Sequence, residues 1–238
     1  MVIEQAVVLA AGRGTRLGAI THDRPKPMVP VGGRPLIGNI AGAIAATGIR
    51  SLVVVTGYLA ETVEDYLAAA SPIPVSFVRQ EHRNGTAGAV RLARHALGDK
   101  PFLLSWGDIA TDPQHFDQVM AAWRPGLAAA VGVNPVPDVS RLSAYVFGED
   151  MRITQIVEKP TASPPSLWNG TGILCLGPEI WGHIGDVGPS VRNELEIPDV
   201  LSALLRAGHR LEAVPLNGPW FDIGTPESLA AAQAAFTP

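Results

Sequence analysis

The stretch Leu9-Ala10-Ala11-Gly12-Arg13-Gly14-Thr15-Arg16-Leu17 decides the fold of this chain. It continues the apolar run Ala6-Val7-Val8, which predicts a buried strand, and its small residues predict a loop. In an open α/β sheet, ligands bind beyond the carboxyl ends of the strands. A loop of small residues there lets backbone N–H groups closely approach the phosphates of a ligand. The stretch therefore predicts an α/β protein with an anionic ligand at the end of its first strand.

The loop differs from two common phosphate-binding loops. The dinucleotide fingerprint G-x-G-x-x-G requires a glycine where this chain has Leu17. The P-loop G-x-x-x-x-G-K-[ST] requires a lysine after a correctly spaced glycine, and none stands there. Both of these phosphate-binding loops are therefore excluded for this stretch.

Predicted strands and helices alternate through the first half of the chain, which favours a doubly wound, mixed but mostly parallel sheet. The predicted strands cover residues 2–9, 52–56, 75–78 and 102–106, and the helices cover 35–47, 60–70 and 86–97. After about residue 127 the pattern changes to extended segments at 144–147, 152–157, 171–176 and 211–215 and a helix at 197–207. Thr225 is predicted to cap a last helix that has Pro226 at its first position and runs to about Phe236.

The composition excludes several classes of partner. The chain has 238 residues, of which 47% are hydrophobic, and a net charge of −4 with scattered Lys and Arg, so no nucleic-acid surface is expected. No apolar run is long enough to cross a membrane. The single cysteine, Cys175, cannot form an internal disulfide, and no signal peptide is recognised, so we expect a cytoplasmic protein.

Two stretches downstream extend the first loop into a longer signature. They are Arg24-Pro25-Lys26-Pro27-Met28 and Pro30-Val31-Gly32-Gly33-Arg34-Pro35-Leu36-Ile37. With the loop, they resemble the signature of the sugar-1-phosphate nucleotidyltransferases: L-A-[AG]-G-x-G-[ST]-R-L, about nine residues, P-K-[AP]-[ML], then G-x-[PK]-[LM]-[IL]. No hexapeptide-repeat region is recognised up to Pro238, so the stand-alone short form of the family is expected rather than the acetyltransferase-fused form.

The resemblance implies a Rossmann-like, GT-A-like fold in one domain over residues 1–238. It also implies an enzyme that uses Mg²⁺ to transfer a nucleoside monophosphate from a nucleoside triphosphate to a sugar 1-phosphate. Residues to about 126 would bind the nucleotide, and residues from about 127 would bind the sugar phosphate. Members of the family are often dimers or tetramers, so the resemblance also implies a homodimer or homotetramer.

The nucleotide site that the resemblance implies is formed by the first loop, the lysine segment and a later turn. Arg16, Lys26 and Asp108 would be the catalytic residues, with the two cations stabilising the charge that develops on the triphosphate. The implied nucleotide-binding residues are Leu9, Ala10, Ala11, Gly12, Gly14, Thr15, Arg16, Lys26, Gln80, Gly85, Thr86 and Asp108.

Two aspartates at predicted strand ends match family positions that bind Mg²⁺. Asp108 follows Gly107 at the end of a buried strand, and Asp222 is predicted to end another buried strand. Mg²⁺ prefers one or two carboxylates together with phosphate oxygens and water, which suits two aspartates from separate strands.

The second half carries the implied sugar-phosphate site. Glu158-Lys159-Pro160 resembles the E-K-P motif, in which the carboxylate accepts from sugar hydroxyls and the lysine binds the phosphate. Asn169, Thr171 and Gly172 resemble the segment that lines the sugar pocket, and its alignment with the family motif is open by one residue. Residues 194–199 resemble a further family stretch, which lines the sugar site or an interface. Leu142-Ser143 stand where many members have Tyr-Gly, which leaves the sugar contact there open.

The base remains open between pyrimidine and guanine. The carboxamide of Gln80, five residues before Gly85-Thr86-Ala87, can donate to a carbonyl and accept from an imide N–H. That pair of groups favours uracil or thymine, hence UTP or dTTP. Guanine offers a similar edge, and a guanylyltransferase for mannose 1-phosphate or heptose 1-phosphate is the alternative.

Three other functions fit the sequence less well. A GT-A-type glycosyltransferase shares the architecture but usually carries a D-x-D motif, which Asp108-Ile109-Ala110-Thr111-Asp112 does not provide. A non-catalytic nucleotide-sugar-binding regulator would tend to lose the signature lysine or an aspartate. A cofactor nucleotidyltransferase has a shorter spacing than the ten residues from Arg16 to Lys26.

Overall fold

The first strand lies near the middle of a mixed sheet of nine strands, counted over the residues that the structure describes. These residues are 2–82, 84–160, 163–190 and 193–237 of a computed structural model. The strands are β1 (Gln5–Ala10), β2 (Pro30–Val31), β3 (Arg34–Pro35), β4 (Ser51–Thr56), β5 (Val75–Arg79), β6 (Phe102–Trp106), β7 (Ile109–Thr111), β8 (Ala129–Pro135), β9 (Ser143–Phe147), β10 (Ile153–Glu158), β11 (Trp168–Leu176), β12 (Leu211–Pro215) and β13 (Trp220–Asp222).

Helices cover both faces of the main sheet. They are α1 (Leu36–Ala46), α2 (Ala60–Ala70), α3 (Thr86–Leu97), α4 (Gln114–Ala122), α5 (Ile180–His183), α6 (Ile197–Arg206) and α7 (Pro226–Ala235). Apolar residues of α1, α2 and α4 pack with Val8 of β1, while those of α3, α5 and α6 pack with the neighbouring Val7 on the opposite face. Of the helices described, none has the length and apolar character that a membrane span requires.

The strand order confirms the predicted α/β class with a mixed, mostly parallel sheet. Strands β5, β4, β1 and β6 are neighbours in that order, and all pair in parallel. Strand β11 then pairs antiparallel with β6 and joins β8, β12, β9 and β10 to the same sheet. Only β10 and β11 among these described strands run against the rest. Both halves of the chain thus contribute to one sheet.

The prediction omits several elements between residues 30 and 135 that the structure shows. The predicted helices at 60–70 and 86–97 and strands at 102–106 and 211–215 have the bounds that the structure shows. Helix α4, strand β8 and the short strands β2, β3 and β7 are absent from the prediction. Strand β8 begins with Ala129-Ala130 and contains Gly132, residues with weak strand propensity. Its place between β11 and β12 is set by tertiary packing, which local sequence does not report.

Helix α7 begins as predicted at Thr225. Its side-chain oxygen accepts a hydrogen bond from the Ser228 N–H at 3.2 Å, and the Ser228 hydroxyl accepts from the Thr225 N–H at 3.1 Å. This reciprocal pair satisfies N–H groups that a helix start leaves without partners. Pro226 follows at the first helical position, where no N–H is needed.

Replacing Thr225 by Ala should lower the free energy of unfolding by about 1 kcal/mol, because the Ser228 N–H loses its acceptor. Urea denaturation monitored by circular dichroism measures the change. Thr237→Ala is the matched control, since the Thr237 hydroxyl donates to the Gln233 carbonyl at the exposed end of the same helix. Equal effects of the two substitutions would contradict the capping role.

Candidate functional site

One cavity of about 870 Å³ opens where β1 and β6 end. This volume lies within the range of small-molecule sites. Predicted site residues that line it are Leu9, Ala11, Gly12, Arg16, Gln80, Gly85, Thr86, Asp108, Glu158, Lys159, Asn169, Thr171, Gly172 and Asp222. The predicted residues Ala10, Gly14, Thr15 and Lys26 are not part of its lining. The cavity therefore unites the predicted nucleotide and sugar-phosphate residues from both halves of the chain.

Close contact between β1 and β6 fixes the position of Asp108. The Gly107 N–H donates to the Leu9 carbonyl at 2.9 Å. A Cβ atom on Gly107 would lie only 2.6 Å from that carbonyl oxygen, so only glycine allows this approach. Asp108 follows directly and is held at the cavity by the end of β6.

Lys26 lies behind the cavity and links the two predicted metal ligands. Its ammonium donates to Asp108 Oδ2 at 2.7 Å and to Asp222 Oδ1 at 3.3 Å. The Lys26 side chain is only 7% exposed, whereas those of Asp108 and Asp222 are 33% and 35% exposed. Gly14 packs directly on Lys26: it has φ +69°, and a Cβ there would lie 2.9 Å from Lys26 Cβ. The first loop thus supports the lysine that holds both aspartates.

The two aspartates converge through a small separate sheet. Asp222 of β13 pairs with Ile109 of β7, and the Ile223 N–H donates to the Asp108 carbonyl at 3.0 Å. The prediction that Asp222 ends a buried strand was wrong, because β13 is short and only partly buried. Its aromatic residue Phe221 contacts Phe236 beyond α7 and is not part of the main core.

Two carboxylates and two cations lie close together at this end of the cavity. Burial lowers the pKa of Lys26, but the attraction and hydrogen bonds of the two aspartates outweigh burial, so its pKa is raised. Burial and the charge of Asp108 raise the pKa of Asp222 despite the opposing effects of Lys26 and Arg16. Arg16 lies 4.0 Å from Asp222 and is half-exposed. An added cation would relieve the repulsion between the carboxylates.

No group of three or more His, Cys, Asp or Glu side chains suited to a metal occurs in the described parts of the chain. The cavity instead offers two carboxylates. Such a pair suits Mg²⁺, which takes its other ligands from water and substrate phosphates. Asp108 and Asp222 are therefore the residues that fit this cation.

The predicted base-binding turn is tied to the second half of the chain. The Gln80 amide donates to Asn84 Oδ1 at 2.9 Å and to the Gly85 carbonyl at 3.2 Å, which leaves its carbonyl oxygen for a ligand. Gly85 has φ +98°, and a Cβ there would lie 2.3 Å from the Leu195 carbonyl oxygen. The Thr86 hydroxyl donates to Glu196 at 3.0 Å. Residues 194–196 thus support the base-binding turn, while Glu194 and Glu196 also line the cavity.

Glu158 and Lys159 lie together at the other end of the cavity. The Lys159 ammonium donates to Glu158 Oε1 at 2.6 Å, and the Lys159 N–H donates to the Leu142 carbonyl at 2.8 Å. Lys159 has φ +46°, a left-handed conformation that is uncommon for residues other than glycine. The second Glu158 oxygen accepts from the Ser143 hydroxyl. The Leu142-Ser143 pair that departs from the family pattern thus contacts the first two residues of the E-K-P motif.

The alignment left the sugar-pocket position open between Asn169 and Thr171, and both residues line the cavity. Asn169 donates to Asn134 Oδ1 at 3.2 Å, and the Thr171 hydroxyl donates to the Gly132 carbonyl at 2.9 Å. Gly172 has φ +79°, and a Cβ there would lie 2.8 Å from the Trp106 ring. The glycine therefore makes room for this bulky residue beside Asp108.

The sequence did not single out three further residues of the cavity wall, Arg141, Tyr145 and Trp220. The Trp220 indole N–H donates to the Thr171 carbonyl at 2.9 Å, which joins the β13 segment to β11. Arg141 and Tyr145 stand outside a recognised motif, whereas Trp220 begins the family-like segment that carries Asp222. The only signal in the sequence was their nearness to Leu142-Ser143 and Asp222.

A family model described as nucleotidyl transferase matches residues 5–237. UTP–glucose-1-phosphate uridylyltransferase AglF of Haloferax volcanii is 34% identical over 94% of this chain and 92% of its own length. The bifunctional protein GlmU of Methanococcus maripaludis is 31% identical over 97% of this chain, which spans 54% of that relative. The crystal structure of a UDP-glucose pyrophosphorylase complexed with UDP-glucose superposes with a TM-score of 0.90, at 25% identity and 98% coverage of both chains.

Replacing Lys26 by Met should lower the free energy of unfolding by about 1–3 kcal/mol. Two neighbouring carboxylates would lose their shared partner, although their partial exposure reduces the cost below that of a fully buried pair. Urea denaturation measures the loss. Lys100→Met is the control, because Lys100 is exposed and outside the cavity. If both variants unfold at the same urea concentration, Lys26 does not stabilise the pair of aspartates.

Proposed function

The chain belongs to the nucleotidyl transferase family, and on that premise we propose that it transfers the nucleoside monophosphate of UTP or dTTP to a sugar 1-phosphate. The enzyme is a nucleotidyltransferase of the sugar-1-phosphate class. The proposal adds the choice of base, the use of Mg²⁺ and the roles of individual residues.

The arrangement of charge along one cavity is the observation that carries the proposal. Arg16, Asp108 and Asp222 line one end, with Lys26 behind the aspartates. Glu158 and Lys159 line the other end. A triphosphate at the first end and a sugar 1-phosphate at the second would share the same cavity, as transfer between them requires.

The reaction is a single in-line displacement. A phosphate oxygen of the sugar 1-phosphate attacks the α-phosphorus, the bond from that phosphorus to the β-phosphate oxygen breaks, and pyrophosphate leaves with the electron pair. Positioning and electrostatic stabilisation suffice, so no covalent enzyme intermediate is needed. Lys159 orients the attacking phosphate and Arg16 neutralises the leaving pyrophosphate. Lys26 holds the two aspartates and keeps a positive charge near the α- and β-phosphates.

Asp108 and Asp222 would hold Mg²⁺. Their carboxylates share one ammonium, and the pKa of Asp222 is raised by burial and by the charge of Asp108, whose repulsion a cation would relieve. When bound, Mg²⁺ would neutralise charge on the phosphates. Cys175 takes no part, because it is fully buried in the core.

The choice of UTP or dTTP rests on Gln80 and on the relatives. The carbonyl oxygen of Gln80, the group that its internal hydrogen bonds leave for a ligand, can accept from the imide N–H of uracil or thymine. Guanine offers an N–H of the same kind, so Gln80 alone does not exclude GTP. The relative from Haloferax volcanii named for UTP and glucose 1-phosphate supports the pyrimidine.

We expect the purified protein with Mg²⁺ to release pyrophosphate from UTP or dTTP in the presence of glucose 1-phosphate, and more slowly from GTP. A coupled pyrophosphate assay across four nucleoside triphosphates and a panel of hexose, amino-sugar and heptose 1-phosphates measures this. Arg16→Ala should lower kcat/KM on the order of 100-fold, because the leaving group loses a positioned cation. Arg50→Ala is the control, since Arg50 pairs with Glu4 away from the cavity.

Two outcomes of this assay would contradict the proposal. Release only from GTP would replace the pyrimidine assignment by the guanylyltransferase alternative. Sugar transfer from a nucleotide sugar without pyrophosphate formation would indicate a glycosyltransferase instead.

Removal of divalent cations should abolish activity, and Mg²⁺ should restore it. In Asp222→Asn, half-maximal activation should need on the order of tenfold more Mg²⁺ or beyond, because one carboxylate is lost. Titration of Mg²⁺ against rate measures the shift. Asp112→Asn is the matched control: the Asp112 carboxylate accepts from the Gln114 N–H and is outside the cavity lining. An unchanged Mg²⁺ requirement in Asp222→Asn would exclude Asp222 as a ligand.

A further inference from the structure

Ser143 and Glu158 face each other across two antiparallel strands. They are directly opposed in the register of β9 and β10, so their side chains project from the same face of the sheet. The Ser143 hydroxyl donates to Glu158 Oε2, and the Lys159 ammonium donates to Glu158 Oε1 at 2.6 Å. All three side chains line the cavity. The carboxylate therefore accepts a hydrogen bond from each of these two side chains.

The two partners restrict the carboxylate in different ways. Lys159 is 35% exposed and follows Glu158 directly in the chain, so its ammonium can also turn toward a phosphate in the cavity. Ser143 has a short side chain on a strand that is paired with β10, so its hydroxyl cannot move far. The Ser143 hydroxyl is thus a fixed donor that helps to orient the Glu158 carboxylate, whether or not Lys159 turns to a phosphate. A hydrogen bond to an ionised acceptor is among the stronger kinds in proteins.

We propose that Ser143 is a positioning residue that fixes the Glu158 carboxylate to accept hydrogen bonds from the sugar ring hydroxyls. This inference rests on the proposed function and extends it to a residue that departs from the family pattern. With the Ser143 hydroxyl in place, Glu158 is aligned before the sugar arrives, and less freedom is lost on binding. Affinity for the sugar 1-phosphate thus depends on Ser143, whereas affinity for the nucleoside triphosphate does not.

Steady-state kinetics of Ser143→Ala test the proposal, using the nucleoside triphosphate and sugar 1-phosphate that give the highest rate with the wild-type protein. KM for the sugar 1-phosphate should rise on the order of tenfold, since one hydrogen bond to a charged group is lost. KM for the nucleoside triphosphate should stay unchanged. Ser143→Thr retains the hydroxyl and should restore most of the sugar affinity.

Thr154→Ala is the matched control. The Thr154 hydroxyl donates to the Val146 carbonyl at 3.2 Å in the same pair of strands, but Thr154 is exposed and outside the cavity lining. If Ser143 only stabilises the strand pair, both alanine variants should lower the unfolding temperature alike, and the two KM values of Ser143→Ala should change together. That result would overturn the proposal.

A double-mutant cycle with Glu158→Gln asks whether Ser143 acts through Glu158. In the Glu158→Gln background, Ser143→Ala should raise KM for the sugar 1-phosphate far less than in the wild-type background. Full additivity, or an unchanged KM in Ser143→Ala, would refute the positioning role while leaving the proposed function intact. Wild-type protein that releases no pyrophosphate with any pair in the panel would refute the proposed function, and this inference with it.

Discussion

One buried ammonium determines the arrangement of the site. Lys26 donates to Asp108 and Asp222, which are 114 residues apart in the chain. Because both carboxylates bond the same ammonium, they lie close together. Without a cation between them, they would repel each other at the end of a partly buried cavity. The lysine costs free energy to bury, and its attraction and hydrogen bonds to the two aspartates outweigh that cost. Each of the three groups therefore depends on the other two.

The same pairing of lysine with carboxylate recurs at the sugar end, with a different degree of burial. Lys26 is 7% exposed and held by two carboxylates, whereas Lys159 is 35% exposed and held by one. An ammonium with fewer carboxylate partners and more exposure loses less interaction free energy when it turns to a phosphate. This difference fits a fixed cation at the reacting phosphates and a mobile one that receives the second substrate.

The sequence indicated candidate residues that the structure brings together in and behind one cavity, but not the packing around them. The strand-loop pattern at β1 and the recognised motifs indicated Arg16, Lys26 and Asp108, which depend on local sequence and a resemblance. Helix α4 and strand β8 were missed because their residues give no strong local signal for a helix or a strand. Long-range contacts determine their structure instead. The contact between Ser143 and Glu158 depends on strand register, so the sequence indicated only that the position departs from the family pattern.

Backbone contacts join the predicted base-binding turn to the segment 194–196 of the cavity wall. The Leu195 N–H donates to the Asn84 carbonyl at 2.7 Å, and the Ala87 N–H donates to the Leu195 carbonyl at 2.8 Å. Because Gly85 lies against the same peptide of Leu195, neither segment can shift without breaking both bonds. A change in the segment that carries Glu194 and Glu196 would therefore also shift the predicted base-binding turn. Under the proposed function, base and sugar selectivity should for this reason change together when either segment is altered.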